Sequence, residues 1–265
     1  MSGVNQEQHK GRTALVTGAA RGIGSAVARA LGAQGARVVL VARSAAALEE
    51  VAQGIRAEGG EALCLAADLV GAEWLSDLDG LAPEVDLLVH CAASFAPYGP
   101  LEEVAPEAVR DVLEVGVMGA LQLSQHVVGG MRARGFGRIV SVGSVAASLG
   151  AGGQVAYATA KSALVGMTRT LAVEGGRSGV TVNLVELGLV ETERVVREID
   201  PVIRARLIEG TAVGRAGTPD EVARVIAFLC SEDSSFITGA VIPVSGGLGL
   251  ALYPEQFSEG GRPQA

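Results

Sequence analysis

Aromatic side chains are scarce in this chain of 265 residues. They make up 3%, with Trp74 the single tryptophan and Tyr98, Tyr157 and Tyr253 the only tyrosines. A core so poor in rings has to close by backbone approach, which 37 glycines permit. Cysteine is sparse too: Cys64, Cys91 and Cys230 are odd in number and far apart, with no CxxC or HExxH spacing. Neither a disulfide frame nor a zinc site is expected. Basic charge is in deficit, with a formal net charge of -8 and a pI near 5.0, which argues against nucleic acid or an anionic membrane as main partner. No uninterrupted run of 18 apolar residues occurs, and the opening MSGVNQEQHKGR lacks the apolar core of a signal peptide. A soluble cytoplasmic protein is the expectation.

What is present is an apolar chain, 49% hydrophobic against 19% charged, able to bury a sizeable core. Short β-branched runs alternate with longer helical patterns. Strands are predicted at 13–18, 36–42, 61–67, 85–92, 137–144 and 179–186, and helices at 24–35, 44–60, 106–134 and 154–176. A further helix is predicted over 218–229, with Thr218 as its cap and Pro219 in its first turn. Such alternation implies right-handed crossovers and an α/β fold, a doubly wound parallel sheet with helices on both faces. No linker-like break or repeat is visible. Residues 1–265 therefore read as one domain, with an extra C-terminal tail at 251–265.

Between the first strand and first helix lies TGAARGIG, residues 17–24, where an α/β sheet binds a phosphate. Gly18 permits the tight turn, and Gly22 and Gly24 let the backbone and helix N-terminus approach a pyrophosphate. No Lys-Ser/Thr follows, which excludes a P-loop. Arg21 sits inside the loop and Arg43 follows the second strand, where an acid would hold the ribose 2'-hydroxyl of NAD. Two guanidiniums in that place suit a 2'-phosphate, so NADP(H) is favoured over NAD(H). Further along, Tyr157 and Lys161 share one helix face, and a nearby ammonium is expected to lower the pKa of the phenol. Ser144, ending the strand 137–144, is placed to hydrogen-bond a carbonyl oxygen as negative charge develops.

These pieces, in this order, resemble the short-chain dehydrogenase/reductase family over about residues 11–247, and 3-oxoacyl-[acyl-carrier-protein] reductases and other ketoreductases in particular. The resemblance rests on TGAARGIG, AADL with Asp68, GRIVSVGS ending at Ser144, YATAK thirteen residues on, VTVNLV with Asn183, LGLVET reaching Thr192, and the closing GRAGTPDEVARVIAFLCSEDSSFITGAVIPVSGG. It implies a single-domain Rossmann-type fold and Tyr157 as proton donor. Lys161 would hold the nicotinamide ribose, and Ser144 would polarise the carbonyl. By the same resemblance Gly18, Arg21, Gly22, Ile23, Gly24, Arg43, Ala92, Tyr157 and Lys161 line the cofactor. Asp68 and Leu69 would meet adenine, and Val190 and Thr192 the carboxamide and phosphate side. A small-molecule carbonyl, alcohol or acyl thioester substrate and a homotetramer, or a homodimer, are implied as well.

The chain departs from the family pattern at several points. Asn-Asn-Ala-Gly is replaced by HCAA (90–93), Pro-Gly by Leu187-Gly188, and the acid before the last Gly-Gly by Ser245. The helix asparagine, which in the family props a bulge and a water that serves the lysine, aligns with Gly116. With only Asn5 and Asn183 in the chain, no shifted asparagine can replace it. Glycine is expected to keep activity, slowed by about one or two orders of magnitude. The crossover from Asp68 to Asp86 is about one helical turn short, with Trp74 packing it on the sheet. Two function classes follow: an NADP(H)-dependent reductase, or a nucleotide-binding regulator or scaffold that lost turnover. A serine hydrolase is excluded, since neither Ser141 nor Ser144 lies in GxSxG. Substrate choice is expected from the loop 94–100 with Phe95 and Tyr98, from 145–154, and from 189–211 with Arg194, Arg197, Arg204 and Arg206.

Overall fold

A computed structural model describes residues 7–95 and 98–250; the tail at 251–265 and two residues of the loop 94–100 lie outside the described residues. Seven parallel strands, counted among the described residues, form one sheet. They are β1 (Thr13–Thr17), β2 (Arg37–Ala42), β3 (Glu61–Ala66), β4 (Leu87–His90), β5 (Gly137–Ser144), β6 (Val180–Leu187) and β7 (Val241–Val244). Their spatial order is β3-β2-β1-β4-β5-β6-β7, so the winding reverses at β1 and a crevice opens between the C-terminal ends of β1 and β4. This is the expected Rossmann-type α/β fold.

The connecting helices are α1 (Gly22–Ala33), α2 (Ala45–Ala57), α3 (Leu75–Leu81), α4 (Pro106–Leu113), α5 (Gly119–Arg134), α6 (Ala146–Leu149), α7 (Val155–Gly175), α8 (Glu193–Glu198), α9 (Pro201–Glu209) and α10 (Pro219–Cys230). Strand residues alternate between two apolar layers. Ala14, Val16, Val38 and Leu40 pack with α1, α2 and α10, whereas Leu15, Val39, Val41 and Leu88 pack with α3, α5 and α7. Both sheet faces are dry, which is why the strands read as continuous apolar runs. Trp74 is buried in the second layer, at the start of α3. Thr218 caps α10 in a reciprocal box: its hydroxyl accepts from Glu221 N (3.2 Å), and Glu221 Oε2 accepts from Thr218 N (2.8 Å).

Three differences from the sequence reading have physical causes. β4 is shorter than 85–92, because Ala92 N donates to the Thr17 hydroxyl (3.2 Å) rather than to a neighbouring strand. The stretch 106–134 is two helices joined by a π-helical turn, Glu114–Met118, with Gly116 buried in it. A glycine weakens the regular helix there, and a Cβ on Gly116 would meet that of Ala160 on α7 at 3.6 Å, an ordinary contact. The strand β7 carries Pro243 and pairs with β6 alone, an edge position where proline is tolerated and periodicity is weak.

Candidate active site

The loop after β1 needs its glycines for two different reasons. Gly18 (φ +65) and Gly22 (φ +58) adopt left-handed backbone that a side chain disfavours. Gly24 is confined by contact instead: a Cβ there would overlap the carbonyl oxygen of Gly18. The loop also gathers distant segments. A Cβ on Gly18 would come 3.0 Å from Ala92 N, and one on Gly22 would sit 3.4 Å from Cγ2 of Thr192. Helix α1 begins at Gly22 with Arg21 as its N-cap, no side-chain cap and no acid in its first turn. Its free N–H groups and positive dipole end are thereby open to an anion crossing the glycine backbone, which fits the diphosphate of a dinucleotide.

Around this cradle the remaining cofactor candidates are spread along the strand ends. Arg21 and Arg43 are exposed. Arg43 follows β2 and Asp68 follows β3, and a bond from Ala67 N to Ala42 O (3.0 Å) sets the two strand ends side by side. Asp68 is exposed and accepts from Val70 N (3.2 Å), while Leu69 is buried against Gly119. Ile23 is half-buried against the first apolar layer. Val190 is buried and bridges to Gly217, and Thr192 caps α8 by accepting from Val195 N (3.2 Å).

Ser144, Tyr157 and Lys161 meet at the C-terminal end of β5, where α7 runs back across the sheet. Ser144 Oγ accepts from Ala146 N (3.2 Å) and is a hydrogen-bond neighbour of the Tyr157 hydroxyl. The pKa of the half-buried Tyr157 is raised by desolvation; the Ser144 hydroxyl acts in the opposite direction, Tyr98 raises it and the Arg194 charge lowers it. Here the sequence expectation is corrected: the Lys161 ammonium is not what tunes the phenol within this chain. Lys161 is fully buried and donates to Val142 O (2.7 Å), and its Nζ lies 5.6 Å from the centroid of the Tyr157 ring. Burial pushes its pKa from 10.5 down to about 8, opposed only by Cys91.

His90, one of the departures from the family pattern, and the matching Asn183 and Gly188 each hold neighbouring segments together. His90 is buried, with Nδ1 3.1 Å from the Thr17 hydroxyl, and burial followed by the Lys161 charge pushes its pKa down to about 3. It is a neutral, structural link between β1 and β4. Asn183 is fully buried, donating to Ile237 O (2.8 Å) and accepting from Ala240 N (3.2 Å), so it ties β6 to the approach of β7. At Gly188 a Cβ would come 2.7 Å from the Ser245 carbonyl oxygen, so the loops after β6 and β7 touch through backbone.

One constellation escaped the sequence reading. The Phe95 ring stacks on the Tyr157 ring, with centroids 4.9 Å apart and planes 17° apart, and the Arg194 guanidinium carbon lies 3.6 Å from the centroid of Phe95. These residues come from three separate segments, and spacing along the chain carries no sign of their meeting. Among the described residues no cluster of His, Cys, Asp or Glu could hold a metal ion.

Comparison with known proteins gives one consistent result. The family profile described as "Enoyl-(Acyl carrier protein) reductase" matches residues 18–249. The 3-oxoacyl-[acyl-carrier-protein] reductase FabG of Pseudomonas aeruginosa is 36% identical over 242 residues, covering 90% of this chain and 98% of that protein. A crystal structure of a 3-oxoacyl (acyl-carrier-protein) reductase from Agrobacterium tumefaciens C58 with NADP bound superposes with a TM-score of 0.85 at 34% identity, covering 91% of this chain and 96% of the other. A 3-oxoacyl-[acyl-carrier protein] reductase from Brucella melitensis with bound NAD superposes with a TM-score of 0.87 at 31% identity, covering 93% and 94%. The chain belongs to the short-chain dehydrogenase/reductase family of NAD(P)-dependent oxidoreductases.

Proposed function

We propose that this protein is an NADPH-dependent ketoreductase that reduces a ketone or 3-oxoacyl-type carbonyl, with Tyr157 as the proton donor. The observation that carries the reading is the pair of hydroxyls, Ser144 and Tyr157, at the sheet end that also bears the glycine cradle of Gly18, Gly22 and Gly24. When bound, the nicotinamide cofactor supplies the hydride. The protein's share is electrostatic and geometric. The Ser144 hydroxyl donates to the carbonyl oxygen as negative charge builds there. Tyr157, its pKa raised by burial, holds its proton at working pH and delivers it to that oxygen. Lys161 holds the nicotinamide ribose and, with a pKa near 8, remains mostly charged at neutral pH.

For the cofactor, Arg21 and Arg43 take the 2'-phosphate of NADPH, and their exposure at the ends of β1 and β2 supports this choice over NADH. Asp68 and Leu69 receive the adenine, Ile23 and Ala92 line the diphosphate and ribose path, and Val190 and Thr192 face the nicotinamide side. The chain works as a single domain in a cytoplasmic homotetramer. Among the described residues no helix is long and apolar enough to cross a membrane.

Tyr157→Phe tests the assignment. Turnover of a 3-oxoacyl thioester with NADPH falls by at least about a hundredfold, while NADPH binding, followed by its fluorescence, is retained. Undiminished turnover would refute the role given to the phenol. Arg43→Asp tests the cofactor choice, lowering kcat/KM for NADPH by about tenfold or more relative to NADH.

A further inference from the structure

The stack of Arg194, Phe95 and Tyr157 brings together the segment after β4, helix α7 and the short helix α8. Phe95 is 37% exposed, so an apolar ring stands at the mouth of the site. Tyr98, 59% exposed, is near enough to Tyr157 to help raise its pKa. Arg194 is held in turn, its Nε 2.5 Å from Oε2 of Glu198, whose other oxygen pairs with Arg197 (2.8 Å). Its guanidinium is thereby kept over the ring of Phe95, an arrangement attractive both electrostatically and by dispersion. The near-parallel rings of Phe95 and Tyr157 add a second face contact. One face of the phenol ring is thereby covered.

We propose that Phe95 is a specificity-determining residue and Arg194 its positioning partner, together clasping the Tyr157 ring so that the site admits slender 3-oxoacyl chains and turns away ketones with a ring fused beside the carbonyl. The inference rests on the ketoreductase reading above. A slender chain passes the edge of the phenol and leaves both face contacts intact. A fused ring next to the carbonyl has to enter the space that Phe95 fills, and both contacts are then lost. Two such contacts together correspond to roughly tenfold in relative rate. Phe95 acts by excluding volume. Arg194 acts on selectivity by holding Phe95, beside its charge effect on the phenol, which lowers the Tyr157 pKa.

The test compares kcat/KM for the N-acetylcysteamine thioester of acetoacetate with that for 1-tetralone, using NADPH, in the wild type and in Phe95→Ala, Phe95→Tyr and Arg194→Gln. Phe95→Ala is expected to shift the ratio toward tetralone by roughly tenfold, Arg194→Gln by a smaller factor in the same direction, and Phe95→Tyr to retain the wild-type ratio. A second readout needs no turnover: acetylation of Tyr157 by N-acetylimidazole, followed by peptide mass spectrometry, rises several-fold in Phe95→Ala and Arg194→Gln. Unchanged ratios with unchanged labelling, or a shift away from tetralone, would overturn the clasp. Raised labelling with no turnover of any carbonyl would support the clasp and sink the ketoreductase reading instead.

Discussion

Lys161→Met should make this protein more stable and less active at once. Lys161 is 2% exposed, and burial lowers its pKa from 10.5 to about 8. A difference of about 2.5 units corresponds to roughly 3 kcal/mol of cost for keeping the ammonium inside the fold. Below pH 8 the folded and unfolded states both carry the proton, so the folded state bears this whole cost. Between pH 8 and 10.5 the unfolded chain still binds a proton that the folded chain has released. Stability therefore rises with pH through that window as the penalty fades. Methionine keeps most of the apolar stem without the charge, but leaves Val142 O without its donor, a loss of about 1 kcal/mol. The net gain at pH 7 is roughly 2 kcal/mol, or about 4–8 °C in Tm for a chain of this size. Thermal melts followed by circular dichroism between pH 6 and pH 10 measure it. The variant should melt higher at pH 7, the gap should narrow toward pH 10, and turnover should fall by about a hundredfold or more. A lower Tm at pH 7, or a gap that ignores pH, would refute the reasoning.

Two further outcomes concern glycines. Gly24→Ala places a methyl group against the Gly18 carbonyl oxygen, so the loop must shift and the Kd for NADPH, read by fluorescence titration, should rise by about tenfold or more; an unchanged Kd would separate this loop from cofactor binding. The Cβ of Gly116→Asn meets only the Ala160 methyl at ordinary contact distance, so the backbone should accept it and kcat should rise by roughly tenfold in steady-state assays. An equal kcat would show that the missing amide does not limit turnover.

The apolar runs of β1, β2, β5 and β6, the capped start of α10 and the placement of TGAARGIG between β1 and α1 were determined by local sequence. Burial on both sheet faces, a Thr-Pro-x-Glu box and an apolar strand running into glycines each depend on residues close together in the chain. The spacing of Tyr157 and Lys161 likewise set them on one helix. It did not determine what each side chain meets. Only the packing of α7 on β5 and β6 turned the Lys161 ammonium onto the Val142 carbonyl, because a buried charge takes the nearest acceptor whatever its distance in sequence. The π-helical turn at Gly116 arose where α4 and α5 cross α7, a condition no helical period encodes. Phe95 and Arg194, about a hundred residues apart in the chain, became neighbours only because the sheet order gathers the loops after β4 and β6 over one phenol.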